Sequence, residues 1–439
     1  MFVNSDTRRR RRRLTAKPRS AARGGNQREL SPMFRTDGNH LHFVGNTGDD
    51  VLPITAALHN LIHKQGYSDI TLDFSKSGFI HASVMLPLVA QARLYQLAKV
   101  DFELIEPDEE RSRRLLQNTN WAHLINPVKF EARDNRNQLH LSAIQYRTAD
   151  EQFSAVDRSM DVILKNLKGL DRSRFKALEW SLNEITDNVL NHAESPVGGI
   201  VQVMTFPKRQ LVEFYVCDSG IGIPRSLRQA KPQILDDSSA LRQAIEEGVT
   251  RNSQTNQGNG LFGTFKCCQV SGGEFYVLSG NVRLRHKPGQ VQTLRNPIPF
   301  NGTFVRAAIN YGFEQLLEKA LVFKGKPHEP GSDYIERVYQ SAGDEVDFRV
   351  SQELSTFGSR EAGRIAKTKI ENLMDKGRTA IVFDFSDIHL ISSSFADEVF
   401  GRLFVELGAI KFGQLCRFKN VDTTVQTLID RAIAQRMKI

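Results

Sequence analysis

The sequence predicts an α/β protein with several domains. Towards both ends of the chain, apolar runs of strand length alternate with segments of helical periodicity, as in ITLDF at residues 70–74 and TAIVFDF at residues 379–385. Such alternation is typical of layered α/β domains. Between them lies a longer segment with an amphipathic helix and two glycine-rich turns, and 439 residues are enough for about two to four domains.

The basic charge of the protein is confined to its amino-terminal end. Residues 1–36 hold eleven Arg and Lys residues against two acidic ones, which accounts for the whole formal net charge of +9. Because residues 1–38 contain almost no core-forming side chains, we expect a disordered basic tail. Its run of six arginines, Arg8–Arg13, suits nucleic acid or an anionic surface. The alternative is that translation normally begins at Met33.

Composition argues against a membrane protein and against a zinc site. No apolar run approaches the roughly 18 residues that a membrane-spanning helix needs. The four cysteines, Cys217, Cys267, Cys268 and Cys416, show no C-x-x-C or other metal-like spacing. We therefore expect a reduced, cytoplasmic protein.

The helix predicted at residues 176–195 carries two stripes of different character. Glu184 and Asn188 are four residues apart, so they lie next to each other on one face. An amide oxygen beside a carboxylate suits a magnesium–phosphate site, and a free Glu can deprotonate a nucleophile. The alternative is an ordinary amphipathic helix with a solvated polar face. The apolar stripe that would face the core consists of Leu178, Leu182, Ile185 and Val189.

Two glycine-rich turns follow this helix. In the first, Asp218 ends an apolar run and can accept a hydrogen bond from an exocyclic amine such as that of adenine, while Gly220 and Gly222 let backbone approach a flat ring. In the second, Gly258 and Gly260 precede another predicted helix, whose amino terminus would suit phosphate. The pattern is neither a P-loop nor a Rossmann turn.

Together, the helix and the two turns resemble the GHKL, or histidine-kinase-like, ATP-binding fold. The spelling NEITDNVLNHAE is nearer to anti-sigma-factor serine kinases than to sensor histidine kinases. The resemblance implies an α+β sandwich ATPase domain over residues 138–312, a mobile ATP lid over residues 224–257, and bound ATP with Mg²⁺. It also implies roles for individual residues: Glu184 as catalytic base, Asn188 as Mg²⁺ ligand, Asp218 as the adenine-binding residue, and further ATP contacts from Gly220, Gly222, Gly258, Gly260, Leu261 and Thr303.

Two smaller α/β segments flank the predicted ATPase domain. Residues 39–133 contain DFSKSGFIHAS, which resembles the STAS fold of anti-anti-sigma factors. Ala82 stands where that family has a phosphorylated serine, and the neighbouring Ser83 is expected to cap a helix. We therefore interpret this segment as a degenerate STAS-like module.

A linker rich in Pro, Gly and charge is predicted at residues 323–344, before a third domain at residues 345–438. The third domain contains DFSDIHLISSSFADEVFGRL, which closely resembles a STAS-like domain often found with ATP-binding partners. The resemblance makes Ser393 the candidate phosphoacceptor. The alternative is that the serine triplet only caps the following helix. A strand is predicted at residues 412–418.

These expectations leave three functions open. The first is a serine-protein kinase of the partner-switching type, acting on a STAS-type serine, with a STAS or sigma-factor-like protein as partner. The second is an ATP-hydrolysing switch that controls STAS-mediated contacts without phosphorylating protein. The third is a non-enzymatic module that binds nucleic acid through its arginine-rich tail. A homodimer would be compatible with the first two.

Overall fold

A computed structural model describes residues 34–133, 140–249, 259–328, 330–331, 333–339, 345–354 and 356–437. The predicted α/β class is confirmed, since helices in these ranges accompany sheets of four, five and three strands and a small two-stranded ribbon. Most of the predicted basic tail lies outside the described residues. Its final part, however, is a strand, Phe34–Asp37. Within the described ranges, no helix is both long and apolar enough to cross a membrane.

The amino-terminal module is built on a four-stranded sheet in which each strand is hydrogen-bonded to the next in sequence. The first pair is antiparallel and the other two are parallel. The helix Ala82–Leu97 is capped by His81, whose side chain accepts from the Ser83 N–H, so the expectation that Ser83 is the cap is wrong. The elements are β1 (Phe34–Asp37), β2 (His40–Gly45), α1 (Leu52–His59), a π-helical turn (Asn60–Lys64), β3 (Asp69–Ser77), α2 (Ala82–Leu97), β4 (Asp101–Ile105), α3 (Glu110–Asn118) and α4 (Trp121–Ile125).

The central domain is a five-stranded antiparallel sheet with helices packed on one face. The strand order is β5-β6-β7-β9-β8. Its strands are β5 (Ile144–Tyr146), β6 (Gly199–Phe206), β7 (Leu211–Asp218), β8 (Glu274–Lys287) and β9 (Gln290–Asn310). Its helices are α5 (Ala149–Asn166), α6 (Arg172–Asn188) with a π-helical turn (Val189–Ala193), a 3₁₀ turn (Pro207–Arg209), α7 (Gly222–Ala230), α8 (Asp237–Ala244), α9 (Gly260–Val270) and α10 (Leu316–Ala320).

The central sheet is buried on both faces along β7. Side chains alternate between the two faces of a strand, and in β7 this assigns Phe214 and Val216 to the core shared with the helices. Tyr215 and Cys217 belong instead to the core of the amino-terminal module. Because β7 is apolar at every one of these positions, it can support two cores at once. The amino-terminal module therefore packs against the side of the sheet that the helices leave free.

The carboxyl-terminal domain contains a parallel three-stranded sheet in the order β12-β13-β14. The predicted strand at residues 412–418 is wrong in its first part, because residues 409–415 are helical and the strand begins only at Cys416. The elements are β12 (Val346–Arg349), α12 (Val350–Glu353), α13 (Arg360–Leu373), β13 (Ile381–Asp384), α14 (Ser393–Ala396), a π-helical turn (Asp397–Gly401), α15 (Arg402–Leu407), α16 (Ala409–Leu415), β14 (Cys416–Lys419) and α17 (Thr423–Arg436).

The reason for the wrong strand is local. Gly408, with φ +75°, ends α15, and its carbonyl accepts from the Phe412 N–H to start a new helical turn. Ile410 is exposed, whereas Phe412 is buried against the aromatic cluster of this domain. An apolar run that appeared to be a buried strand is thus a short helix with one buried side.

The segment predicted as a linker is structured where it is described. It forms the antiparallel pair β10 (Val322–Phe323) and β11 (Lys326–Pro327), followed by α11 (Tyr334–Tyr339). The Tyr334 N–H donates to the Glu179 carboxylate of α6, and Asp333 pairs with Arg172 at the start of the same helix. The polar composition that predicted a linker therefore belongs to a connection fastened to α6. Residues 329, 332 and 340–344 lie outside the described ranges.

A buried charge cluster fixes the carboxyl-terminal domain to α5. Lys369 of α13 is fully buried and forms ion pairs with Asp161 of α5 and with Glu353. One turn along, the Asn372 amide donates to the carbonyls of Leu164 and Leu167, at 2.8 and 2.5 Å. A buried ammonium must be compensated in this way, so the docking geometry is specified by polar as well as apolar contacts.

Replacing Lys369 by Met should destabilise this docking strongly. Asp161 and Glu353, both mostly withdrawn from solvent, would lose the ammonium between them, although Asp161 keeps its pair with Lys165. Removing one partner of a buried pair costs about 3–5 kcal/mol. The matched control is Lys376→Met, because Lys376 is 56% exposed in its pair with Asp171, and such a surface pair contributes about 0–1 kcal/mol. Urea unfolding followed by circular dichroism measures both. Equal effects of the two substitutions would contradict the structural role of Lys369.

Candidate functional site

A cavity of about 320 Å³ opens between α6, the turn after β7 and the start of α9. Gly220 lies in the turn after β7 but does not line the cavity. Gly258 lies outside the described residues. Ser393 belongs to the carboxyl-terminal domain and does not line the cavity. The structure brings together the other residues singled out in the sequence, which all line the cavity: Glu184, Asn188, Asp218, Gly222, Gly260, Leu261 and Thr303.

Helix α6 presents its polar stripe to the cavity because its other residues belong to the core. Leu178 and Leu182 are fully buried. After Asn188 the helix continues as a π-helical turn and ends at Glu194, which has a left-handed backbone with φ +53°. Insertions of this kind re-aim side chains and are frequent at functional sites. The turn contributes His192 to the cavity wall, a residue that the sequence analysis did not select.

Glu184 occupies the end of the cavity next to the second glycine turn. Gly260, the first residue of α9, approaches so closely that a Cβ there would collide with the Glu184 carboxylate. Burial raises the pKa of Glu184 to about 7, and repulsion from Asp187 acts in the same direction. A carboxyl group that titrates near neutrality can both accept and release a proton under physiological conditions.

Asp218 also lines the cavity and is almost fully buried. One carboxylate oxygen accepts from the Gly220 N–H at 2.8 Å, and the carboxylate also accepts from the Thr303 N–H. Burial nevertheless raises the pKa of Asp218 to about 7, because two backbone donors do not replace full hydration. The free site therefore holds an acceptor that lacks a full set of donors.

Backbone around Asp218 is held by a serine network. The Ser279 hydroxyl donates to the Gly302 carbonyl at 2.9 Å, accepts from the Ile223 N–H at 2.9 Å, and lies 3.1 Å from the Thr303 hydroxyl. Gly222, with φ +75°, fits against this serine, where a side chain would be strained and crowded. Thr303 therefore supports Asp218 through its backbone amide, while its hydroxyl bonds to Ser279.

The amino-terminal module contacts the back of the first glycine turn directly. The Ser219 hydroxyl donates to the Ala90 carbonyl of α2 at 2.9 Å. Gln91, one residue along, donates its amide to the Asn301 carbonyl at 2.9 Å, next to Gly302. Any shift of α2 would thus act on the first glycine turn and on the part of β9 that lies beside Asp218.

An aromatic cluster forms the rim beside Glu184, and the sequence analysis missed it. The rings of Trp180 and Phe323 are 5.9 Å apart, and His328 lies 5.8 Å from Trp180 and 5.4 Å from Phe323. All three line the cavity. Phe323 and His328 come from the segment predicted as a linker, and the only available signal was an aromatic pair within a Pro- and Gly-rich stretch.

The serine triplet of the carboxyl-terminal domain begins α14. Ser392 is the helix cap, since its hydroxyl accepts from the Phe395 N–H at 3.0 Å. Ser393 is the first residue of the helix and is exposed. The cap and the candidate phosphoacceptor are therefore different serines, and Ser393 is accessible from solvent.

Comparison with known families supports the assignment of the carboxyl-terminal domain. Residues 362–426 match a STAS-like domain of unknown function (DUF4325). The match spans α13, the three serines and the start of α17. A search among curated protein sequences found no match to the chain.

Substitution of Asp218 by Asn tests whether the buried, ionised carboxylate destabilises the folded protein. Because burial raises its pKa to about 7, its stabilising contribution is present below pH 4 and is lost as the pH rises through 7. Asp218→Asn should therefore raise the unfolding free energy at pH 8 by about 1–3 kcal/mol, and by less at pH 5.5. Urea unfolding at both pH values measures this difference. A variant that is less stable than wild type at pH 8 would contradict the result expected.

Proposed function

We propose that the protein binds Mg-ATP in this cavity and acts as a regulatory ATP-dependent enzyme of the serine-protein kinase type. The observation that carries the proposal is that Asp218 and the Glu184–Asn188 pair line a single cavity. Glycine backbone and apolar side chains line the same cavity, as a flat base and a sugar require. Perturbed carboxyl groups within one cleft further favour a functional site.

At the base end, Asp218 would accept a hydrogen bond from the exocyclic amine of adenine. The carboxylate already receives the Gly220 and Thr303 amides, which orient it. A further donor would lower the cost of holding the ionised form in a buried site. Ligand binding and Asp218 ionisation are thus expected to favour each other.

At the phosphate end, the amino terminus of α9 would face the triphosphate. Its first backbone N–H groups have no partner within the helix and are suited to anions. Asn188 would hold Mg²⁺ through its amide oxygen, and the neighbouring carboxylates Glu184 and Asp187 make an oxygen-rich wall that fits this ion. Bound Mg²⁺ would neutralise charge on the phosphate oxygens.

Glu184 would serve as the general base. A serine hydroxyl would attack the terminal phosphorus, its proton would pass to the Glu184 carboxylate, and ADP would leave. The acceptor is proposed to be a STAS-type serine. Because Ser393 is exposed and does not line its own cavity, transfer would reach Ser393 of a second copy, or the corresponding serine of a STAS or sigma-factor-like partner.

A second candidate is an ATP-hydrolysing switch that phosphorylates no protein. It is favoured by the way α6 is shared: Glu184 lines the cavity, while Glu179 on the same helix binds the Tyr334 N–H and Arg337 of α11. Closure of the cavity around ATP would therefore act through α6 on α11, the segment that leads to the carboxyl-terminal domain. In this case Glu184 would orient water instead of a serine.

Replacing Glu184 by Gln should lower turnover about 10²–10⁴-fold while leaving ATP affinity within about twofold. For wild type, activity should rise with pH and level off above about 7, because only the ionised base accepts a proton and burial raises the pKa of Glu184 to about 7. Asp187→Asn should move this profile to lower pH, since Asp187 adds to the pKa increase. Initial rates of ADP release across pH 5.5–9 measure the turnover of Glu184→Gln and the pH profiles of wild type and Asp187→Asn. A wild-type profile that is flat in this range would contradict the assignment.

The kinase and the switch differ in where phosphate is found. After incubation with Mg-ATP, mass spectrometry should detect phosphoserine at Ser393 or on an added STAS partner, and Asn188→Ala should abolish it. If phosphate is released equally by wild type and Ser393→Ala, and no phosphoserine forms, the switch is favoured instead. Phosphoserine that persists undiminished in Asn188→Ala would count against a role for the cavity.

A further inference from the structure

The described wall of the cavity is acidic, although a triphosphate is the ligand proposed for it. It carries the carboxylates of Glu184, Asp187 and Asp218, and no Lys or Arg side chain lies among its described lining residues. Two histidines, His192 and His328, are the lining side chains in this part that can become cationic. His192 interacts electrostatically with Asp187, whose pKa it lowers against the effect of burial.

The imidazole of His328 is held at the Glu184 end of the cavity. Its ring lies 5.8 Å from Trp180 at an interplanar angle of 63°, and 5.4 Å from Phe323. Trp180 precedes Glu184 on α6 by four residues, so the two side chains share one face of the helix. The His328 N–H of the backbone donates to the Leu321 carbonyl at 2.8 Å, which fixes the residue at the end of the β10–β11 pair.

The β10–β11 hairpin bridges the elements around this end of the cavity. Its Lys324 N–H donates to the Glu247 carboxylate in the segment predicted to be the lid. Phe323 lies 6.1 Å from the Phe262 ring of α9. The hairpin therefore contacts the lid segment, α9 and α6 at once, and His328 is its residue nearest to the connection that continues to α11.

We propose, on the basis of the proposed function, that His328 donates a hydrogen bond to the terminal phosphate of bound ATP. The reasons are its place in the cavity lining next to Trp180 and Phe323, and the N–H donor that even a neutral imidazole keeps. ADP ends one phosphate short of this contact. His328 thus distinguishes the triphosphate from the diphosphate, and it does so from the segment that leads into the carboxyl-terminal domain.

The same segment is tied to α6 beyond the cavity. Asp333 accepts from Arg172 at 2.7 Å, and Arg337 donates to Glu179 at 3.0 Å. A contact between phosphate and His328 would therefore act on a connection that is already bound to α6 further along the chain. Loss of the terminal phosphate would remove the contact at His328, so the nucleotide state would be reported to the STAS-like domain by the chain that joins it to the ATPase domain.

The test compares His328→Phe with wild type by isothermal titration with Mg²⁺ and either a non-hydrolysable ATP analogue or ADP. Phenylalanine keeps a ring against Trp180 and Phe323 but has no nitrogen. We expect about tenfold weaker binding of the ATP analogue, because a hydrogen bond to a charged group is lost, and ADP affinity within about twofold of wild type. His328→Gln, which restores an N–H donor, should recover part of the difference.

Lys326→Gln is the matched control, since Lys326 is exposed on the same hairpin and does not line the cavity. It should leave both affinities unchanged. Equal weakening of the two nucleotides by His328→Phe, or no change in either, would overturn the role of His328 while leaving ATP binding intact. If wild type binds neither nucleotide, the proposed function itself fails, and this inference fails with it.

Discussion

The burial of the Asp218 carboxylate is the constraint on which the site depends. A charge in the interior requires donors with defined geometry, and here they are backbone amides of the first glycine turn and of β9 instead of flexible side chains. Those turns are held in turn by Ser279 and by α2 of the amino-terminal module, through the bond from Ser219 to Ala90. The amino-terminal module is therefore part of the support of the cavity.

Helix α6 connects this site to the rest of the chain. Its apolar side contributes to the central core and its polar side lines the cavity. In its first half, Glu179 accepts from the Tyr334 N–H of α11, and Arg172 pairs with Asp333 just before α11. The neighbouring α5 receives the carboxyl-terminal domain through the buried ammonium of Lys369. A ligand that shifted α6 would therefore act on the contacts with α11 and on the neighbouring α5, to which the carboxyl-terminal domain is docked. This arrangement is what the proposed regulatory function requires, in which occupancy of the cavity would control the STAS-like domain.

The sequence was informative where local chemistry and periodicity agree. The spacing of Glu184 and Asn188, and the glycines beside Asp218, predicted residues that the structure brings into one cavity. The helix at residues 409–415 was missed because a short apolar run fits a buried strand equally well until Gly408 is known to turn the chain. The rim was missed because composition alone marked residues 323–344 as a linker. His328 belongs to the cavity only through a fold that returns this segment to Trp180, and such long-range contacts leave no local pattern. Packing of the amino-terminal module on the second face of the central sheet likewise depends on long-range contacts that no local pattern reveals.

The central claim is that Asp218 selects an adenine nucleotide, and comparison of ATP with ITP tests it most directly. The two differ in the exocyclic group that would meet the carboxylate: ATP offers an amine donor and ITP an oxygen acceptor. Isothermal titration with Mg²⁺ should give saturable binding of ATP and at least about tenfold weaker binding of ITP, since a buried acceptor left without its donor is costly. Equal affinity for the two nucleotides, or no binding of ATP, would contradict the account.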